Sequence, residues 1–92
     1  MKKTTIYQGD RIIMNSKDHK IIQLIWDKII GKSIDGFLGV TQVEHQFFLE
    51  VVILKNFGVK PGILELYDGK KLKDSIKIIK TDNKIKIINQ PF

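Results

Sequence analysis

The stretch that most constrains how this chain can fold is Gln46–Asn56, with the sequence QFFLEVVILKN. It is too apolar for a surface position, and its β-branched residues favour a strand over a helix. Because alternate side chains of a strand point to opposite faces, both faces would be apolar, with Glu50 as the only interruption. Such strands are typical of the middle of a sheet that is covered on both sides. The sequence therefore predicts a central strand here.

The first half of the chain contains a sequence pattern typical of a helix, which could pack against one side of that strand. We predict a helix over Ser16–Ile30. Asn15 or Ser16 can cap its start, and Asp18 lies in the first turn, where the helix dipole favours negative charge. Gly31 fits the left-handed position that closes many helices. The other side of the strand has no obvious cover, so an exposed apolar face is expected.

The apolar arc of the predicted helix is wider than one sheet can cover. Isoleucines form its centre, Leu24 extends one edge, and Trp26 and Ile30 extend the other. Two interpretations stay open: the helix is sunk into a groove with loops over its flanks, or Leu24 or Trp26 faces a partner. From its position beside the centre of the arc, Trp26 is predicted to be largely buried.

Short strands separated by turn signals account for the rest of the chain. Gly9-Asp10, Asp68-Gly69 and Asp82-Asn83 are the turn pairs. The strands predicted besides the central one are Thr4–Gln8, Arg11–Met14, Phe37–Glu44, Ile63–Tyr67, Leu72–Lys80 and Ile85–Asn89. The predicted fold is α+β: one helix, about residues 16–30, packed on a mostly antiparallel, curled sheet of about five to seven short strands. We expect a single domain over residues 1–92.

The residue types that carry catalysis or bind metals form no recognisable arrangement. The chain has no cysteine, and His19 and His45 lack the spacing of metal ligands. Glu44 and Glu50 do not form with Lys55 the compact cluster that a metal-dependent nuclease requires. We therefore predict no catalytic residue, no metal and no cofactor, and the hypothesis of a small enzyme has the least support.

The strongest regional charge signal is a lysine-rich C-terminal part. Seven lysines and three aspartates lie between Asp68 and Asn89, so this part carries four of the chain's six net positive charges. The lysines are Lys70, Lys71, Lys73, Lys77, Lys80, Lys84 and Lys86. They could follow a phosphate backbone, or keep a sheet edge from pairing with another chain. Aromatic residues for base stacking are not interleaved with them, which favours the second interpretation.

Two function classes therefore stay open. The first is a non-catalytic protein-interaction module, either a homodimer or a small inhibitor or adaptor of a larger protein. Its candidate interface residues are Leu24, Trp26, Phe48, Val52 and Leu54. The alternative is a nucleic-acid-binding domain that uses the lysine-rich C-terminal strands. A short chain without motifs would also suit a phage or mobile-element product that blocks a host enzyme.

The expected location is the cytoplasm. No apolar run approaches the roughly 18–20 residues that cross a bilayer, so no membrane contact is expected. The charged beginning of the chain is not followed by the apolar region of a signal peptide.

Overall fold

Five antiparallel strands form the framework of the protein, and their order in the sheet is β2-β1-β3-β4-β5. The computed structural model describes residues 2–31 and 42–89. The strands are β1 (Thr4–Gln8), β2 (Arg11–Ser16), β3 (Gly62–Asp68), β4 (Lys71–Lys80) and β5 (Ile85–Asn89). The sheet is curled and does not close into a barrel, so the predicted α+β class with a mostly antiparallel, curled sheet is confirmed.

The helices are α1 (His19–Ile29) and α2 (Gln42–Phe47), and α2 continues directly into a π-helical segment (Phe48–Asn56). The central strand predicted over Gln46–Asn56 is therefore wrong. A continuous apolar run fits a buried strand or a buried helix equally well, and strand propensity yields to tertiary packing. Leu49 and Ile53, four residues apart, are the fully buried side chains of the segment. The strand predicted over Phe37–Glu44 is also wrong for residues 42–44, which begin α2; residues 37–41 lie outside the described residues.

The C-terminal end of the π-helical segment is closed by the residue that follows it and by Arg11 of β2. The Phe57 N–H donates to the Val52 carbonyl, five residues back, at 3.0 Å. Arg11, at the start of β2, donates to the carbonyls of Phe57 and Gly58 at 2.8 Å each. Carbonyls at a helix C-terminus lack hydrogen-bond donors within the helix and attract positive charge. The Arg11 guanidinium supplies both the donors and the charge. Gly58 has φ +68°, and a Cβ there would lie 2.9 Å from the Arg11 guanidinium.

Helix α1 begins later than the sequence predicted. Its N-cap is Asp18, whose carboxylate accepts from the N–H groups of Lys20 and Ile21 at 3.1 and 3.4 Å. Asn15 and Ser16 are not the N-cap: both belong to β2 and pair with β1, and the Ser16 hydroxyl accepts from the N–H of Asp18 at 2.9 Å. Gly31 has φ +81°, which agrees with its predicted left-handed conformation beyond the helix end.

The hydrophobic core lies between the helices and one face of the sheet. Trp26 is 1% exposed, so its predicted burial is confirmed, and its indole N–H donates to the Asp74 carboxylate at 2.8 Å. The fully or nearly buried apolar residues are Ile6, Ile22, Trp26, Ile29, Leu49, Ile53, Val59, Leu64, Leu66, Ile76, Ile78 and Ile85. The helices of the described residues include none that is long and apolar enough to span a membrane.

We predict that truncating Ile53 is far more costly than truncating its neighbour Val51. Ile53 is fully buried, so Ile53→Ala should lower the free energy of unfolding by about 2–5 kcal/mol. Val51 is half-buried, and Val51→Ala should cost about 1 kcal/mol. Urea denaturation followed by circular dichroism measures both, and equal losses in the two variants would contradict this placement of the segment.

Candidate ligand-binding face

The face of the sheet that points away from the core is covered by no helix of the described residues. Leu64 and Leu66 of β3 are buried under the helices, so their neighbours Ile63, Glu65 and Tyr67 point to the opposite side. We call this side the open face. Its larger side chains are Tyr7, Ile12, Ile63, Glu65, Tyr67, Leu72, Lys77, Ile79, Lys86 and Ile88.

Two tyrosines pack against each other on the two strands at the middle of the open face. Antiparallel pairing of β1 with β3 sets Thr5 opposite Tyr67 and Tyr7 opposite Glu65, so Tyr7 and Tyr67 are diagonal neighbours. Their ring centroids are 5.3 Å apart and the ring planes are nearly perpendicular, at 88°. In this edge-to-face arrangement each ring keeps part of its surface free, since both side chains are only half-buried.

Four lysines surround a shallow depression of about 870 Å³ beside the tyrosines. Lys70 lies in the β3–β4 turn, Lys71 begins β4, and Lys2 and Lys3 come from the segment before β1. The Gly69 N–H donates to the Lys3 carbonyl at 2.9 Å and so holds this segment against the turn. Asp68 is the only acidic residue that lines the depression. The result is a basic rim directly next to two half-buried aromatic rings.

The structure places four of the seven lysines predicted to bind nucleic acid on or beside the open face, and three elsewhere. Lys70 and Lys71 line the depression. Lys77 and Lys86 lie on the open face, because the neighbours of Lys77 and the residue before Lys86 are buried in the core. The remaining three, Lys73, Lys80 and Lys84, lie elsewhere.

Lys73 donates to the Gln23 side chain on α1 at 2.9 Å. Lys80 and Lys84 line a polar hollow at the β4–β5 turn, together with Glu50 of the π-helical segment. Sequence reasoning missed Lys2, Lys3 and Tyr7 as partners of the C-terminal lysines. These residues meet the C-terminal lysines only because β1 pairs with β3 in a fixed register, and the sequence of one strand alone does not specify that register.

The residues predicted to form a protein interface do not lie on one common surface. Trp26 lies inside the core, and Leu54 is partly buried against it. Leu24 is 43% exposed on the flank of α1. Phe48 and Val52 line an apolar groove of about 440 Å³ between α1 and α2, which we call the helical groove.

The rim of the helical groove carries two of the most exposed apolar side chains of the described residues. Val43 is 80% exposed and Phe47 is 63% exposed. Lys28 and Glu44 also line the groove, and the Lys28 ammonium lies 4.8 Å above the centre of the Phe48 ring. The groove is thus lined mainly by apolar side chains, together with one lysine and one glutamate.

The two histidines have structural partners in the described part of the chain. The ring of His19 is hydrogen-bonded to the Thr4 hydroxyl, and its Nδ1 lies 3.9 Å from the Asp68 carboxylate. The Nε2 of His45 lies 2.7 Å from the Ile29 carbonyl, which joins α2 to the end of α1. Within residues 2–31 and 42–89, no three His, Asp or Glu side chains are grouped so that they could hold a metal ion.

The fold and this face define a small α+β domain with one helix-covered side and one open, basic and aromatic side. Residues 3–80 match the model of the family described as Domain of unknown function (DUF7688), and the chain belongs to that family. Neither a curated protein nor a solved structure matches the chain.

Proposed function

We propose that this protein is a non-catalytic binding protein that holds single-stranded nucleic acid on its open face. One observation carries the proposal: the Tyr7–Tyr67 ring pair lies directly beside the depression lined by Lys2, Lys3, Lys70 and Lys71. Binding of single strands without strict sequence preference combines a positive track for the phosphates with aromatic rings on which bases stack. Both parts of that combination meet here on one surface.

Charge supports a polyanion as the ligand of this face. The chain has a net charge of +6, and four of its lysines converge on one depression that contains a single acidic residue. Each lysine that neutralises a phosphate releases condensed counterions, which drives association. Lys77 and Lys86 lie further along the same face, so the positive track extends beyond the depression.

The shape of the face favours a single strand over a duplex. The major groove of B-DNA admits a helix or a two-stranded ribbon, whereas the open face belongs to a five-stranded sheet. A single strand can lie across such a surface with its bases unstacked from each other and placed on side-chain rings.

We predict that removing three lysines of the rim weakens binding and flattens its salt dependence. In the variant with Lys3, Lys70 and Lys71 replaced by Gln, the slope of log affinity against log salt should fall by about 2, since a single-strand contact contributes roughly 0.7. Fluorescence anisotropy with a labelled oligothymidylate at several salt concentrations measures the slope. Folding should change little, because exposed lysines contribute little to stability.

A matched control for this experiment lies on the other side of the molecule. Replacing Lys55, Lys80 and Lys84 by Gln removes the same charge, but these lysines belong to the π-helical segment and to the hollow beside it. The control variant should keep most of the slope. Equal losses in both variants would show that net charge alone attracts the oligonucleotide, and would contradict a site on the open face.

We predict that Tyr67→Ala lowers affinity for a single strand by about 1–3 kcal/mol, whereas Tyr67→Phe is nearly neutral. The ring supplies the stacking surface, and the phenylalanine variant keeps that ring while it removes the hydroxyl. Titration calorimetry gives the affinities, and thermal melts establish that both variants are folded. An alanine variant that is folded and binds as tightly as the wild type would rule out stacking on Tyr67.

A second candidate function, a protein-interaction module, is favoured by the exposure of Val43 and Phe47 beside the helical groove. We propose a second copy of the chain as the occupant. A two-fold axis through the groove would pack Val43 and Phe47 of each copy against the apolar groove of the other, which Phe48 and Val52 line.

We predict that self-association through the helical groove depends on Phe47. Light scattering after size exclusion should give about twice the 10.6 kDa mass of the chain at micromolar concentration. Phe47→Glu should return the monomer mass, while Phe57→Glu, at an exposed phenylalanine that does not line the groove, should leave the dimer intact. A wild-type protein that stays monomeric up to high concentration would exclude a homodimer.

A further inference from the structure

Glu65 lies in the middle of the open face, where a phosphate-binding surface gains nothing from a negative charge. It belongs to β3, the central strand, with Tyr7 opposite it on β1 and Tyr67 two residues along on the same side. Among the outward-pointing strand residues of the described chain, Glu65 is the only acid.

The carboxylate of Glu65 is available to a ligand. No hydrogen bond or ion pair within residues 2–31 and 42–89 engages it. It lines a hollow of about 320 Å³ together with both tyrosines, Lys70 and a second acid, Asp10 of the β1–β2 turn. A base stacked on either ring would therefore bring its edge close to a half-buried carboxylate, with a cation nearby for the adjoining phosphate.

We infer that this hollow selects bases by the donors on their Watson–Crick edge, with guanine preferred; the inference rests on the proposed function. An ionised carboxylate only accepts hydrogen bonds, and its two oxygens can accept two parallel ones. Guanine presents two neighbouring donors, N1–H and N2–H, which match that pair of oxygens. Cytosine and adenine present one amino group each. Thymine and uracil present a single N–H between two carbonyl oxygens, which the carboxylate repels.

The test uses oligonucleotides that differ at one base. Labelled eleven-nucleotide strands of thymidine, with G, C, A or T at the central position, are titrated with the wild-type protein by anisotropy. Wild type should bind the G strand roughly tenfold more tightly than the all-T strand, with C and A between them, because a bidentate base contact discriminates to about this extent. Glu65→Gln should reduce the G-to-T ratio to about twofold or less.

Glu50→Gln is the matched control, since it removes the same charge from the hollow on the helical side. It should leave the G-to-T ratio at the wild-type value. Two results would overturn the inference while leaving the proposed function intact: equal binding of all strands by the wild type, or an unchanged ratio in Glu65→Gln. Absence of binding to every strand at low salt would refute the proposed function itself.

Discussion

The pairing of β1 with β3 is the constraint on which both sides of this protein depend. In its register, Ile6 meets Leu66 on the core side, and Thr5 meets Tyr67 on the open side. Because side chains alternate along a strand, a slip of one residue would carry Ile6 out of the core and turn Tyr7 inward. The same pairing brings the segment before β1 against the β3–β4 turn, through the Gly69–Lys3 hydrogen bond. Core packing and the lysine rim are thus fixed by one ladder.

The two faces of the sheet differ, because all described helices lie on one of them. Both α1 and the π-helical segment bury their apolar residues against the same side, where Trp26, Leu49 and Ile53 meet the strands. The open face carries no helix of the described residues and presents the tyrosine, isoleucine and lysine side chains of the strands. Arg11 helps to hold the arrangement, since it ties the end of the π-helical segment to the edge strand β2. π-helical stretches are rare and usually short, so tertiary contacts of this kind are needed to maintain one of nine residues.

The open face brings together three kinds of chemistry that separately would mean little. Lysines alone are common on sheet surfaces and serve solubility, and a tyrosine pair alone is ordinary cross-strand packing. A carboxylate alone on a strand is an exposed acid. In combination they match three features of a nucleotide: its phosphate, the face of its base and the edge of its base. This correspondence is the reason to place the proposed binding function on this face rather than on the helical groove, whose features are apolar surface and one charge of each sign.

Local sequence determined the parts of this fold whose signals are short in range. The turn at Gly9-Asp10, the alternating strands and the apolar face of α1 with its buried Trp26 follow from neighbouring residues, because turn geometry and helical periodicity act over a few positions. The turn predicted at Asp68-Gly69 lies one residue later, at Gly69-Lys70, because Asp68 still pairs with Lys71. Local sequence did not determine the conformation of Phe48–Asn56, because an apolar run gains burial either as a strand or as a helix. Tertiary packing decided between them, since Leu49 and Ile53 lie in the common core as helical neighbours. The site was likewise outside the reach of sequence: Lys2 and Lys70 are distant along the chain, and only the β1–β3 ladder brings them to one depression beside Tyr7 and Tyr67.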